Sequence, residues 1–358
     1  MSVDQPSGSP ARTPKALTDS SLQGSTAGLL GLGTYRPRRV VPNADIVDRI
    51  DSTDEWIRTR SGIESRRFAE ADETVTMMSV AASRAALAEA GLEPGDIDCI
   101  VLATISHLLQ TPAAATLVAA ELGATPAAAF DLSAACAGFC YGIGVAADMV
   151  RAGSARHVLV IGVEKLSDIT DPGDRSTAFI FADGAGAAVV GPSTDNGIGP
   201  VVWGSEGERA DLIRQEAYWP VEGFGAEDPT LDPDPEAAKG AHLLRMDGSP
   251  VFRWASFEMA KVARRAIEAA GVTVDDLDAF VPHQANMRIT DTMAKTLKLP
   301  GHVAIARDIA EQGNTSAASV PLALQRLIDN GETRSGDLAL LIAFGAGLAY
   351  AAQVVRLP

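Results

Sequence analysis

Residues 86–101 (ALAEAGLEPGDIDCIV) and 266–281 (AIEAAGVTVDDLDAFV) align without gaps at an offset of 180, with identity at Ala86/Ala266, Ala90/Ala270, Gly91/Gly271, Asp96/Asp276, Asp98/Asp278 and Val101/Val281. Each copy reads as a helix that stops at glycine, a short turn carrying aspartate, and an apolar strand, which is half of an α/β unit. Any helix-glycine-aspartate-strand connection shares some of this look. Duplication is favoured because the copies stand half a chain apart, and because Cys136 and Asn314 are separated by nearly the same interval, 178. Val158–Val163 and Leu338–Phe344 are continuous apolar runs, as expected of strands covered by helices on both faces. The chain is therefore expected to form layered α/β structure.

At 358 residues and 46% hydrophobic content, the chain can bury the core of one large domain or two medium ones. No apolar stretch approaches the roughly 20 residues of a membrane span. Residues 1–27 are rich in Ser, Thr, Pro and Gly and lack an apolar leader core, so they read as a disordered tail and the protein as cytoplasmic. The acidic, Pro-rich stretch 222–241 reads as a surface loop. A net charge of −16 exerts no pull toward nucleic acid or anionic membrane, so an anionic partner has to find a local basic patch. The cysteines Cys99, Cys136 and Cys140 form neither an even framework nor a metal-ligand set, and no disulfide or metal is expected.

Three separated segments carry chemistry: DLSAACAGF (131–139), VPHQAN (281–286) and QGNTSAAS (312–319). They supply a thiol, an imidazole and a carboxamide among small residues, which suits covalent thioester chemistry. A thiolate attacks carbonyl carbon, and histidine and asparagine can donate hydrogen bonds to an oxyanion or enolate beside it. A cysteine among Ala and Gly is ordinarily a small core residue, and Cys99 and Cys140 read that way. Cys136 differs because a helical pattern ending in Arg-Ala-Gly follows it, so it is expected at a helix start, where dipole and free N–H groups favour thiolate. His283 falls in a turn after a strand, where open α/β sheets place ligands. His107, His157, His242 and His302 have no such setting. Asn314 reads equally well as a helix cap. The glycine runs 181–191 and 343–352 fit no phosphate loop, although the second could aim a backbone N–H at an oxyanion.

From about residue 28 to 358 the sequence resembles the β-ketoacyl-acyl carrier protein synthase III family of the thiolase superfamily, the condensing enzymes that initiate type II fatty acid synthesis. The resemblance rests on the segment STDEWIRTRSGI (52–63), the Cys136 motif, DPGDR (171–175), and the His283 and Asn314 motifs in family order. It implies a five-layered αβαβα thiolase fold from two similar halves, placed here at 28–195 and 196–358, and a homodimer. It also implies that Cys136 is acylated by a short, branched or medium acyl-CoA. His283 and Asn314 would stabilise decarboxylating malonyl-acyl carrier protein, and no cofactor would be needed. The oxyanion hole would be formed by the backbone N–H groups of Cys136 and Ala346, the latter replacing a family glycine. CoA contacts correspond to Trp56, Arg60, Arg175, Gly248 and Asn286, and carrier-protein contacts to Arg253, Gln284, Arg288 and Lys295. The acyl pocket corresponds to Thr111 and Phe344. Thr111 stands where acetyl-preferring relatives have Phe, so a roomier pocket is expected. Two other readings are a papain-like hydrolase, disfavoured by the surroundings of Cys136, and a related acyltransferase or starter-unit condensing enzyme of a polyketide pathway.

Overall fold

The structure, a computed structural model, describes residues 26–194, 196–215 and 243–358. The loop expected at 222–241 and the tail through residue 25 lie outside the described residues. Thr26 and Ala27, assigned from sequence to that tail, instead open the first strand, where Ala27 is fully buried.

In the first half the chain runs β1 (Thr26–Tyr35), β2 (Arg39–Pro42), α1 (Asp54–Ser61), β3 (Ser65–Phe68), α2 (Val75–Ala90), β4 (Cys99–Ala103), α3 (Ala114–Leu122), β5 (Ala128–Leu132), α4 (Gly138–Ala152), β6 (Val158–Lys165) and β7 (Asp183–Ser193). The second half continues with β8 (Val202–Ser205), β9 (Ile213–Gln215), β10 (Leu244–Met246), α5 (Gly248–Ala269), β11 (Ala279–Pro282), α6 (Met287–Leu297), β12 (Ala304–Ile305), α7 (Ile309–Gln312), α8 (Ser319–Asp329), β13 (Leu338–Gly345) and β14 (Ala349–Arg356).

Two five-stranded sheets result, ordered β1-β7-β6-β4-β5 and β8-β14-β13-β11-β12. They repeat each other in both order and direction. β4 runs parallel to β5 and β6, as β11 does to β12 and β13, and the β6/β7 and β13/β14 pairs are antiparallel. The repeated sequence segments occupy equivalent places, since α2 and α5 both run out at the glycines 91 and 271, which adopt φ of +65° and +72°. The spacing of Cys136 and Asn314 has a different basis from the repeat. The short helical turns 135–137 and 316–318, and the helices α4 and α8 that follow them, correspond at an offset of 181. The residue matching Cys136 is therefore Ala317.

Helices α4 and α8 form the middle layer. Their apolar faces (Phe139, Ile143, Val150, Val320, Leu324, Leu327) meet the inner faces of both sheets through Val101, Val160, Val281 and Leu341. α2 and α3 cover the outer face of the first sheet, and α5 and α6 that of the second. The central strands are buried on both sides, which explains their unbroken apolar sequences. The halves also lock into each other near the middle. A side chain at Gly162 on β6 would meet the Ala317 carbonyl at 2.3 Å, and one at Gly345 on β13 would meet the Cys136 nitrogen at 2.6 Å. Each helix-start turn thus lies directly against the central strand of the other half.

Candidate active site

Cys136 follows β5 through a sharp turn in which Ala135 has φ +46°, and α4 begins at Gly138. The thiol is thereby lifted to the carboxyl ends of the parallel strands, at the start of the middle-layer helix. The turn of the second half has the same form, with Ser316 at φ +47°. His283 leaves β11 just after Pro282, and its N–H donates to the Ile342 carbonyl at 2.7 Å. Asn314 is held by backbone bonds to Ile180 and Ala182, each 2.9 Å.

These residues line one cavity of about 670 Å³. Cys136, His283, Asn314, Ser316, Phe344, Gly345 and Ala346 form its inner part, and Trp56, Arg60, Arg175, Gly248, Arg253, Asn286 and Arg288 its outer part. His283 and Asn314 are buried. Burial pushes the His283 imidazole down to about 3, so it is neutral at physiological pH. Its Nδ1 lies 2.6 Å from the Ser319 hydroxyl, whose oxygen also accepts from the Gln284 N–H at 3.4 Å. With Ser319 as the donor in that bond, Nδ1 accepts and Nε2 is the protonated nitrogen, a donor toward the cavity. Phe344 packs edge-on against the imidazole, with centroids 5.4 Å apart.

Asn314 resolves the choice between cap and cavity. Its Oδ1 accepts from the Ser316 N–H at 2.8 Å, a local turn, while its amide nitrogen bonds to none of the described residues and remains available to the cavity. A neutral imidazole donor and a carboxamide donor thus meet beside a thiol, in a site suited to negative charge forming on a carbonyl oxygen.

Cys136 departs from the sequence expectation in one respect. Burial outweighs the helix start and pushes the thiol up to about 12, although the Ser316 hydroxyl acts to lower it. The nearby Glu164 carboxylate raises it further. The thiolate is therefore not standing ready and has to form during reaction. Ala346 causes no difficulty at its position, because the positive φ of that turn, +119°, falls on Gly347.

Around the rim, the Arg175 guanidinium stacks 5.0 Å from the Trp56 ring centroid and Arg60 lies at 5.9 Å. Two stacking separations of about 3.5 Å are needed to seat a base between Trp56 and Arg175, so Arg175 has to swing outward to admit one. Asn286 caps α6 through the Arg288 N–H at 3.0 Å and donates to the Arg60 carbonyl at 2.9 Å, which ties α1 to α6. Arg288 stacks on Phe252 at 4.9 Å. Arg60, Arg175, Arg253 and Arg288 form no ion pair with the described residues. Lys295 is exposed on α6, outside the cavity lining.

Two sequence expectations fail within this chain. Gln284 cannot meet a docked protein, because it is 1% exposed and its amide bonds to the Pro282 and Ala306 carbonyls and the Ile309 N–H. Thr111 does not line its own chain's cavity. It sits exposed on the loop after β4, where the chain turns away from Cys136 toward α3. Conversely, Glu164, Ser316 and Gly345 are site residues that reading the sequence did not single out. A lone glutamate ending the apolar run 158–163 was the available signal for the first.

A repeated β-sheet pair around two central helices, with cysteine, histidine and asparagine converging on one cavity, defines a thiolase-fold condensing acyltransferase. The family model for the 3-oxoacyl-[acyl-carrier-protein] synthase III C-terminal region matches residues 267–357, and that for 3-oxoacyl-[acyl-carrier-protein] synthase III matches 130–207. The chain is 58% identical over 332 residues to β-ketoacyl-[acyl-carrier-protein] synthase III 1 of Streptomyces coelicolor, covering 93% of this chain and 96% of that protein. It is 56% identical to the Streptomyces avermitilis protein of the same name, covering 93% and 97%. Among solved structures, the priming β-ketosynthase of the R1128 polyketide pathway superposes with a TM-score of 0.88 at 49% identity, over 94% of this chain and 97% of that one. The chain belongs to the β-ketoacyl-acyl carrier protein synthase III family.

Proposed function

We propose that Cys136 takes the acyl group from an acyl-CoA, and that the acyl-cysteine then condenses with malonyl-acyl carrier protein to give a β-ketoacyl carrier protein. The observation carrying this reading is the convergence of Cys136, His283 and Asn314 from three distant segments in one cavity whose rim bears arginines without an ion pair among the described residues. In the first half-reaction the tetrahedral oxyanion is held by the backbone N–H groups of Cys136 and Ala346 until CoA leaves. In the second, His283 Nε2 and the Asn314 amide hold the malonyl thioester oxygen, so that loss of CO2 leaves a stabilised enolate which attacks acyl-Cys136. The departing carboxylate generates the carbanion, and the step calls for no metal or redox cofactor.

Trp56, Arg60 and Arg175 serve the nucleotide end of CoA, with Gly248 and Asn286 beside the pantetheine arm. Arg253, Arg288 and Lys295 receive the acidic carrier protein, which a chain of charge −16 could not otherwise attract. We assign a homodimer through the free edge of β5. Phe130 on that strand, with Leu108, Leu109 and Leu117 nearby in sequence, exposes apolar surface between 37% and 57%. Thr111 shares the loop of Leu108 and Leu109, so its contribution to an acyl pocket is one for the dimer. Three unpaired cysteines suit a reducing, cytoplasmic setting. The R1128 neighbour favours a second reading of the pathway, in which the same reaction primes a polyketide carrier protein.

Intact-protein mass spectrometry after exposure to an acyl-CoA panel tests the assignment. One acyl group should appear on the wild type, mapping to Cys136, and none on Cys136→Ala. Stoichiometric acylation of Cys136→Ala would overturn it. Subsequent condensation with fatty-acid or polyketide carrier proteins then separates the two pathways.

A further inference from the structure

Glu164 is fully buried near the end of β6 and is not itself among the residues lining the cavity. Its Oε2 accepts from the Ser106 hydroxyl at 2.6 Å, the Ile105 N–H at 3.1 Å and the Thr104 hydroxyl at 3.3 Å. Among the described residues, its buried Oε1 has no hydrogen-bond partner, and neither has the buried hydroxyl oxygen of Ser316. That hydroxyl belongs to the 316–318 turn, which packs against both β6 and the turn of Cys136, and it is near enough to influence the carboxylate and the thiol. A buried carboxylate with one oxygen satisfied and the other bare, next to a hydroxyl that also lacks a partner and a thiol that lines the cavity, is a costly arrangement to leave idle.

We propose that Glu164 is the proton acceptor for Cys136 during acyl loading, with the Ser316 hydroxyl as the relay. This rests on the reading of Cys136 as the acylated nucleophile. The thiol proton passes to Ser316 Oγ as the Ser316 proton passes to Glu164 Oε1. The sulfur bonds to the thioester carbonyl carbon, the bond from that carbon to the CoA sulfur breaks, and the departing CoA thiolate recovers the proton from Glu164 by the same hydroxyl. Charge balance favours this route. Beside a buried carboxylate a new thiolate would be a second negative charge, and moving the proton onto Glu164 transfers one negative charge instead of creating a second.

Burial holds the Glu164 carboxyl up at about 7, against the opposing bonds from Ser106, Ile105 and Thr104 and the nearby Ser316 hydroxyl, so it can exchange a proton near neutrality. The other titratable groups nearby are engaged elsewhere. Asp183 on the adjacent strand accepts from Ala69 and Ser167, Lys165 reaches the Glu70 carbonyl, and His283 holds Ser319.

The test is single-turnover acylation of Cys136 by an acyl-CoA, followed by mass spectrometry across pH, in wild type, Glu164→Gln and Ser316→Ala. Wild-type loading should climb through about pH 7, as the carboxylate becomes available, and then level off. Both variants should load more slowly, on the order of 10²-fold, and lose that inflection, with rates still rising at alkaline pH as the thiol itself ionises. A merely structural role would lower the rate without moving the profile. Should Glu164→Gln fail to fold, Ser316→Ala still decides, because alanine already occupies the matching positive-φ position at Ala135. Normal rates and an unmoved inflection in Ser316→Ala would sink the proposal. Absence of acylation on wild-type Cys136 would instead refute the assignment of the nucleophile.

Discussion

Gly345→Ala is the substitution for which the structure sets the largest effect from the smallest change. Gly345 has φ −164°, extended backbone open to any residue, so strain is not at issue. Space is. The added methyl would lie 2.6 Å from the Cys136 nitrogen, 2.9 Å from its Cβ and 3.2 Å from its Cα. Ordinary contact begins at 3.4 Å, so the two backbones must part by about 0.8 Å, with no flexible side-chain end to give way. Overpacking of this kind costs about 1–3 kcal/mol of stability. The larger effect falls on chemistry, since the displaced residue carries both the attacking sulfur and an oxyanion N–H. A misplacement of about 1 Å is worth on the order of 10²-fold in rate, or roughly 2.7 kcal/mol of barrier. The assay is Cys136 acylation by acyl-CoA beside thermal unfolding, with Gly301→Ala as control, because a methyl there meets nothing within 4 Å. Wild-type loading and an unchanged melting temperature in Gly345→Ala would refute the claim that this glycine sets the position of the nucleophile.

His283→Ala and Asn314→Ala should still be acylated on Cys136 but lose malonyl decarboxylation, each by about 2.7–4 kcal/mol of barrier, measured as CO2 release from malonyl carrier protein. Condensation at the wild-type rate in both would remove them from that role. Charge reversal at Arg253, Arg288 or Lys295 should raise KM for malonyl carrier protein more than for acyl-CoA, and rising salt should imitate the variants. Equal losses for both substrates, insensitive to salt, would argue against a docking patch.

Where local sequence suffices to dictate an outcome, the reading from sequence and the structure agree. The glycine-stopped helices, the doubly covered strands at 158–163 and 338–344, and the helix after Cys136 all depend on patterns a few residues long. The convergence of Cys136, His283 and Asn314 depends on topology, and it was legible because a duplicated α/β chain brings strand ends together. Gln284 went wrong because its neighbours Ala306 and Ile309 come from the next strand and helix, and nothing near residue 284 announces them. Thr111 lies off its own chain's cavity for a related reason, since exposure of the 108–112 segment is decided by how β4 hands the chain to α3. The raised thiol of Cys136 was equally invisible, because the depth of a site belongs to the packed layers and not to the motif. Asn314 was ambiguous locally because its side chain does two things at once, one atom serving the turn and the other facing the cavity.

The reciprocal seating of Gly162 under Ala317 and Gly345 under Cys136 has a bearing on how this protein can come apart. Each half contributes the surface on which the other's key bend is shaped, so neither can prepare its share in isolation. A fragment ending between β7 and β8 would retain the cysteine yet lack the strand that fixes where it points. A severed half is thus expected to show no partial activity, and a nascent chain to stay chemically silent until β13 has been laid in place.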